Sequence, residues 1–286
     1  MTPLFWQLTH RTIACGDRPL VMGILNLTPD SFSDGGSFVD VDRAVAHGLE
    51  LESLGADLID VGGESTRPGS LSVEAAEELR RVRPVIEKLS GRLKVPMSID
   101  TTKASVAREA LSCGVEIVND VSGGEWDSEL WPVVASAGAG YVLTHCQGRP
   151  ATMQENPVYG DVVADVGNYL MRRLVEGSAA GIAVERVVCD VGFGFGKTLE
   201  HNLALLSRLG EFTALGRPLL VGMSRKSFVK KIGGEDQISL CTELAHLWAA
   251  SQGAAIWRVH DVKAAAMTAR MAGLLRQAKP EGHLEP

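Results

Sequence analysis

Two hydrophobic rhythms alternate along the chain. Eight short, nearly continuous apolar runs recur: LVMGIL (20–25), DLIDVG (57–62), KVPMSI (94–99), VEIVN (115–119), GYVLTH (140–145), RVVCD (186–190), PLLVGM (218–223) and AAIWRV (254–259). Each has the length and composition of a buried strand. Between them lie segments with a period near 3.6. The spacing predicts helices over 41–56, 72–89, 101–114, 161–180, 199–209 and 239–253, and a last one between Lys263 and Ala278. The second of these is expected to open on Ser72 as its N-cap, and to kink or break at Pro84. Strands buried on both faces and alternating with helices imply a parallel sheet. Eight repeats in 286 residues predict a closed (β/α)8 TIM barrel, a single domain with its core over about 18–278. A doubly wound open sheet is the runner-up, disfavoured because no GxGxxG follows the first strand.

The polar residues sit at the ends of the strands. In order these are Asn26, the loop 60–69 (DVGGESTRPG), Asp100, Asn119 with Asp120, His145, Asp190, Ser224 with Arg225 and Lys226, and Arg258 with His260 and Asp261. In a barrel of this type those positions form the C-terminal face, where active sites lie. One such residue is ordinarily a helix cap, and Asp100 alone reads more simply as the cap of a helix opening at Thr101. Eight in succession are poorly explained by capping.

Composition narrows the chemistry. With 28 basic against 35 acidic residues and a net charge of −7, a large basic face for nucleic acid is not expected. Five widely spaced cysteines form neither a CxxC nor a Cys/His cluster, so neither a disulfide framework nor a zinc site is indicated. No signal-peptide pattern opens the chain and no apolar run approaches membrane-spanning length, so a soluble cytoplasmic protein is expected. The C-terminal QAKPEGHLEP is expected to fray.

Individual motifs remain open to two readings. NLTPDSFSDGGSF after the first strand suggests a mobile lid, although Asp30 and Ser31 singly suit a surface loop. DVGFGFGKT (190–198) is not a phosphate loop, because the required first glycine is Val191. Its glycines suggest a tight crossing and Phe195 an aromatic wall, with the other phenylalanine packed beneath. Lys197 reads as no more than a surface charge. A lysine at position 226 could donate to a carbonyl or ring nitrogen. Arg258 and His260 face one way, and together suit a diphosphate. His145 reads as structural. Asp100, Asn119 and Asp190 converging in one mouth would accept from the ring N–H and amino groups of a flat heterocycle.

In combination, GILNLTPDSFSDGG, IDVGGESTRPG, SIDTTK, NDVSGG, GFGFGK, SRKSF and RVHDV, in that order, resemble the dihydropteroate synthase family from about Leu20 to Val262. The resemblance implies a transferase of folate synthesis. It would join 4-aminobenzoate to a dihydropterin hydroxymethyl diphosphate and release diphosphate. By that resemblance Asp100, Asn119, Asp190 and Lys226 hold the pterin. Asn26, Arg67, Arg258 and His260 hold the diphosphate, with Asn26 also on Mg2+. Thr66, Ser224, Phe195 and the loop 65–68 serve the aminobenzoate side. A homodimer through late helices is implied, for which Trp248 and Leu247 could serve, though a core role suits their spacing equally. Two positions depart from the family pattern: Val191 stands where proline is usual, and Thr144 and Cys146 flank His145 where methionine is usual. Three other readings are a corrinoid-linked pterin methyltransferase, which has no use for a diphosphate site; a non-catalytic pterin-binding paralogue; and an aldolase-like barrel, for which no Schiff-base lysine stands within a strand.

Overall fold

The computed structural model describes residues 4–28 and 37–278. The segment 29–36, expected to form a lid, and the C-terminal tail from 279 lie outside the described residues. Two short strands, β1 (Leu4–Gln7) and β2 (Thr12–Cys15), form an antiparallel hairpin before the repeats begin. Eight strands follow: β3 (Leu20–Asn26), β4 (Leu58–Gly62), β5 (Met97–Asp100), β6 (Ile117–Asp120), β7 (Gly140–Thr144), β8 (Val187–Asp190), β9 (Leu219–Val221) and β10 (Ala254–Val259). They pair in parallel in chain order, and β10 closes on β3, giving the expected (β/α)8 barrel.

The helices are α1 (Ser37–Ser53), α2 (Ala75–Leu89), α3 (Ala104–Ser112), α4 (Leu130–Ala137), α5 (Val162–Ala179), α6 (Leu199–Ser207), α7 (Ser227–Gly233), α8 (Ile238–Ser251) and α9 (Val262–Gln277). Two were not expected. α4 reads LWPVVASA, which has no polar face to mark a helical period. α7 is a short helix inserted ahead of α8. Two expectations for α2 fail. It starts at Ala75 with Glu74 in the cap position and no side-chain cap bond, so Ser72 lies outside it, and it runs unbroken through Pro84.

Strand side chains alternate between the two faces of the barrel wall. Outward residues such as Val21, Ile59, Val118, Leu143, Cys189 and Trp257 pack under the helices. Inward residues Met22, Leu58, Ile117, Val142, Val188, Leu220 and Ile256 form a separate apolar layer inside the barrel. The hairpin closes that layer from below. Trp6 is fully buried against it, and its indole N–H donates to the Arg186 carbonyl at 2.7 Å. Arg217 fastens the hairpin by donating to the carbonyls of Phe5, Glu185 and Val187. Replacing Trp6 with alanine removes a large side chain from the barrel floor and should cost about 3–5 kcal/mol of stability. A denaturation midpoint measures this; a loss below about 1 kcal/mol would mean that the barrel seals without the hairpin.

Candidate active site

One step of two residues beyond the apolar layer, the inward positions change character. They are Ile24, Asp60, Asn119, Thr144, Asp190, Gly222 and Arg258, with Asp100 on β5 beside Asn119 in the register. The strand period therefore lays a polar and charged layer directly on an apolar one. Four of its members, Asp60, Asp100, Asn119 and Arg258, are hydrogen-bonded to one another across the barrel. Arg258 donates from Nε to Asp60 Oδ2 and from Nη2 to Asp100 Oδ2, both at 2.6 Å. Asn119 Nδ2 donates to the same Asp60 oxygen at 3.0 Å. Asp190 Oδ1 accepts the backbone N–H of Gly192 at 2.8 Å. Among the described residues, Asp60 Oδ1 and Thr144 Oγ1 are buried without a hydrogen-bond partner. Buried polar atoms are normally satisfied, so these orphans suit a polar ligand in the barrel mouth.

Above this layer opens a cleft of about 420 Å³. Its walls include Asn26, Thr66, Arg67, Asp100, Ser224, Lys226, Arg258 and His260, which are eight of the sequence-predicted site residues. Three lie outside its walls. Asn119 sits deeper, on Asp60. Asp190 is deep as well and nearly fully buried. Phe195 presents its ring to Lys226, with Nζ 3.7 Å from the centroid. Phe193 is the phenylalanine that packs beneath, stacked on Phe228 at 5.8 Å. The cleft is cationic: Arg67, Arg225, Lys226, Lys230 and Arg258 line it against Glu64 and Asp100. Glu64 is moreover paired with Lys103, so little negative charge faces the opening.

Burial tunes the ionisable groups. Asp100 is pushed up to about 7 by burial, with Arg258 pulling it back and Asp60 and Glu78 adding repulsion. It does not cap a helix, since α3 starts only at Ala104 and Asp100 is engaged by Arg258. Asp190 is also raised by burial, against its bond to the Gly192 N–H. Lys226 is lowered to about 8, first by burial and then by Arg258. Burial works against the Arg258 charge, but Asp60 and Asp100 outweigh it and its pKa rises. His260 is pushed down to about 3 by burial and by the charges of Arg258, Arg225 and Arg67. It is therefore a neutral imidazole, a hydrogen-bonding group where the sequence suggested a cation. Its Nδ1 lies 3.1 Å from Ser224 Oγ, which also accepts the His260 backbone N–H at 3.2 Å. Ser224 thus anchors both the backbone and the ring of His260, with the imidazole tautomer deciding which of Oγ and Nδ1 donates.

The loop 63–70 is tied at both ends. Arg81 donates to the Gly63 carbonyl at 2.8 Å, and Lys103 joins Glu64 to the buried Glu78. At its tip the Gly69 N–H donates to the Pro150 carbonyl at 2.8 Å, and Ser70 Oγ donates to the carbonyls of Ser65 and Arg67. Thr66 and Arg67 are thus held over the cleft. Arg225 adopts a left-handed backbone at φ 57°, a costly conformation for a residue with a side chain, at the cleft wall.

The sequence reading missed two participants. Asp60 stands at the head of the 60–69 stretch, but its sequence position alone assigns it no role. The signal was its spacing of two from the inward Leu58. Lys197, read as a surface charge, is only 3% exposed and lies under the loop 190–197.

The chain's relatives agree with this architecture. A family model described as pterin-binding enzyme matches residues 22–260. The dihydropteroate synthase of Escherichia coli K12 is 46% identical over 270 residues, covering 93% of this chain and 95% of the relative. That of Synechocystis is 42% identical over 269 residues, 91% of each chain. The structure of Xanthomonas albilineans dihydropteroate synthase with 4-aminobenzoic acid superposes with a TM-score of 0.90 at 42% identity, covering 97% of this chain and all of the other. The same enzyme in complex with 7,8-dihydropteroate gives 0.87 at 40% identity, covering 96% of this chain and all of the other. With its barrel, its charged inner layer and these relatives over nearly its whole length, the chain belongs to the dihydropteroate synthase family of pterin-binding enzymes.

Proposed function

We propose that the barrel mouth condenses (7,8-dihydropterin-6-yl)methyl diphosphate with 4-aminobenzoate, giving 7,8-dihydropteroate and diphosphate. The observation that carries this is a carboxylate-rich floor beneath a cationic cleft, in one continuous site. Asp100, Asn119 and Asp190 accept from the ring N–H and amino groups of the pterin. Lys226 donates to its carbonyl or ring nitrogen. Arg67, Arg258 and His260 bind the diphosphate, with Arg225 and Lys230 adding to the field. Thr66, Ser224 and Phe195 border the arylamine. Arg258 has two duties, because its donors to Asp60 and Asp100 couple the floor to the diphosphate.

The reaction breaks the C–O bond at the pterin methylene, forms a C–N bond to the arylamine, and releases one amine proton. The diphosphate leaves with the C–O electron pair, and the cationic cleft stabilises that charge. Asp100 lies beneath the electron-poor methylene-pterin cation and stabilises it. No enzyme nucleophile is required. Placing the two substrates in line supplies roughly 7–11 kcal/mol through proximity alone. Mg2+ is the expected cofactor. Among the described residues no group of three or more His, Cys, Asp or Glu converges. Its donors would then be the Asn26 carboxamide oxygen and the oxygens of the diphosphate, a hard-oxygen set that fits Mg2+, which keeps few protein ligands beside phosphates. When bound, the ion neutralises leaving-group charge.

We also infer a homodimer through the late helices. Trp248 and Leu244 on α8 and Met267, Met271, Leu274 and Leu275 on α9 are each at least 50% exposed, whereas Leu247 packs towards the core. A surface so apolar over two neighbouring helices suits a second copy of the chain. No helix among the described residues is long and apolar enough to cross a membrane. The five cysteines are free thiols, which suits the cytoplasm.

Purified protein given both substrates and Mg2+ is expected to release diphosphate only in the presence of the amine, with dihydropteroate as the other product. EDTA should suppress that release, and Asp100→Asn should lower kcat/KM for the pterin substrate at least 100-fold. Amine-independent release, or full activity of Asp100→Asn, would overturn the assignment. Because Asp100 must be ionised to accept and Lys226 protonated to donate, kcat/KM should rise as pH climbs through about 7 and decline above about 8. A rate profile flat from pH 6 to 9 would contradict those roles. Sedimentation analysis should return twice the chain mass, and Leu244→Glu should give a monomer.

A further inference from the structure

Lys197 is a buried lysine to which no carboxylate is bonded among the described residues. Its Nζ lies 2.9 Å from His145 Nδ1, 2.9 Å from the Gly192 carbonyl and 3.0 Å from the Phe195 carbonyl, with the His145 carbonyl at 3.5 Å. Burial lowers Lys197 to about 7, with Asp190 among the groups opposing the shift; in its protonated form it has three N–H donors, and three near acceptors surround it. His145 is pushed down to about 2 by burial and by the Lys197 charge, so its ring is neutral and its Nδ1 serves as acceptor. The group thus joins two loops, 145–150 after β7 and 190–197 after β8.

These loops touch where only glycine fits. A Cβ on Gly192, at φ 70°, would stand 1.9 Å from the His145 carbonyl oxygen. One on Gly196, at φ 62°, would stand 2.4 Å from that of Gln147. The glycines allow the crossing, but a glycine-rich loop does not hold its own shape. Side chains do so here. Tyr159 Oη donates to the Gly196 carbonyl and Gln154 Nε2 to that of Gly194, Asn202 accepts the Gly194 N–H and donates to the Lys197 carbonyl, and the Lys197 side chain holds the carbonyls of Gly192 and Phe195. The two that it holds matter most. Gly192 gives its N–H to Asp190, and Phe195 lies against Lys226. Val191, where the family pattern has proline, leaves this stretch without that ring's restriction of the backbone.

We propose that Lys197 is a positioning residue for substrate recognition: its ammonium clamps His145 to the carbonyls of Gly192 and Phe195, and so sets Asp190 and Phe195 at the barrel mouth. The inference rests on the reading that Asp190 binds the pterin. The buried charge costs stability; in return Lys197 gives the Phe195 carbonyl a donor and adds a second one to the Gly192 carbonyl, which also accepts the Phe195 backbone N–H at 3.1 Å.

The test is titration calorimetry with (7,8-dihydropterin-6-yl)methyl diphosphate on wild type, Lys197→Met, Asp190→Asn and the double variant. Lys197→Met should bind at least tenfold more weakly. The double variant should be no more than twofold weaker than Asp190→Asn alone, because the clamp acts through Asp190. A Lys197→Met affinity within twofold of wild type, or two effects that multiply, would overturn the clamp. If Lys197→Met does not fold, His145→Leu and His145→Asn decide. The leucine, which removes the acceptor, should weaken binding several-fold, and the asparagine, which keeps an acceptor near Nδ1, should restore most of it. Equal affinities for those two variants count against the clamp. Should Asp190→Asn bind as wild type, the pterin-site reading itself is wrong and the clamp falls with it.

Discussion

The step of two residues along each barrel strand is the constraint on which the site depends. It compels neighbours at i and i+2 to share the barrel interior, so Leu58 and Asp60, Ile117 and Asn119, Val188 and Asp190, and Ile256 and Arg258 stand one above the other. A shift of one residue in β4, β5 or β8 would send a carboxylate under the helices and an apolar side chain into the mouth. The apolar lower layer, closed by Trp6, makes such a shift costly. The hydrophobic core thereby sets the position of the charged residues that carry the chemistry.

Burial gives those residues their character. Three carboxylates share the mouth with Arg258 and Lys226, and desolvation moves Asp100 and Lys226 towards each other on the pH scale, to about 7 and about 8. Each group is thus near its switching point, and each is sensitive to a bound ligand that supplies a donor or an acceptor. His260 illustrates the opposite case. Buried and surrounded by cations, it is held neutral, with its ring oriented by Ser224. The arrangement is spatially divided: carboxylates and an amide gather at the floor, and cations line the cleft above it. Arg258 spans both.

Much of this was legible beforehand, for physical reasons that differ by element. The barrel strands are continuous apolar runs, and all eight formed within a few residues of their expected limits. The residues at their ends follow from the same pattern, which is why eight predicted site residues line one cleft. Apart from Asp60, whose spacing from Leu58 marks it, what escaped had no local signal. The hairpin at 4–15 is too short and mixed to register as strands, and α4 has no polar face. Lys197 looked exposed because lysines usually are; only the fold brings His145 and two carbonyls around it. The charge state of His260 depends on its burial and on arginines from one strand and two separate loops, and could not be read from the order of residues.

The account stands on one arrangement, a pterin held by the floor carboxylates with its diphosphate in the cationic cleft above. A crystal structure with (7,8-dihydropterin-6-yl)methyl diphosphate bound tests it most directly. The account predicts the pterin edge against Asp100, Asn119 and Asp190, and the diphosphate between Arg67, Arg258 and His260. A pterin stacked outside the barrel, or a diphosphate away from those three residues, would contradict it.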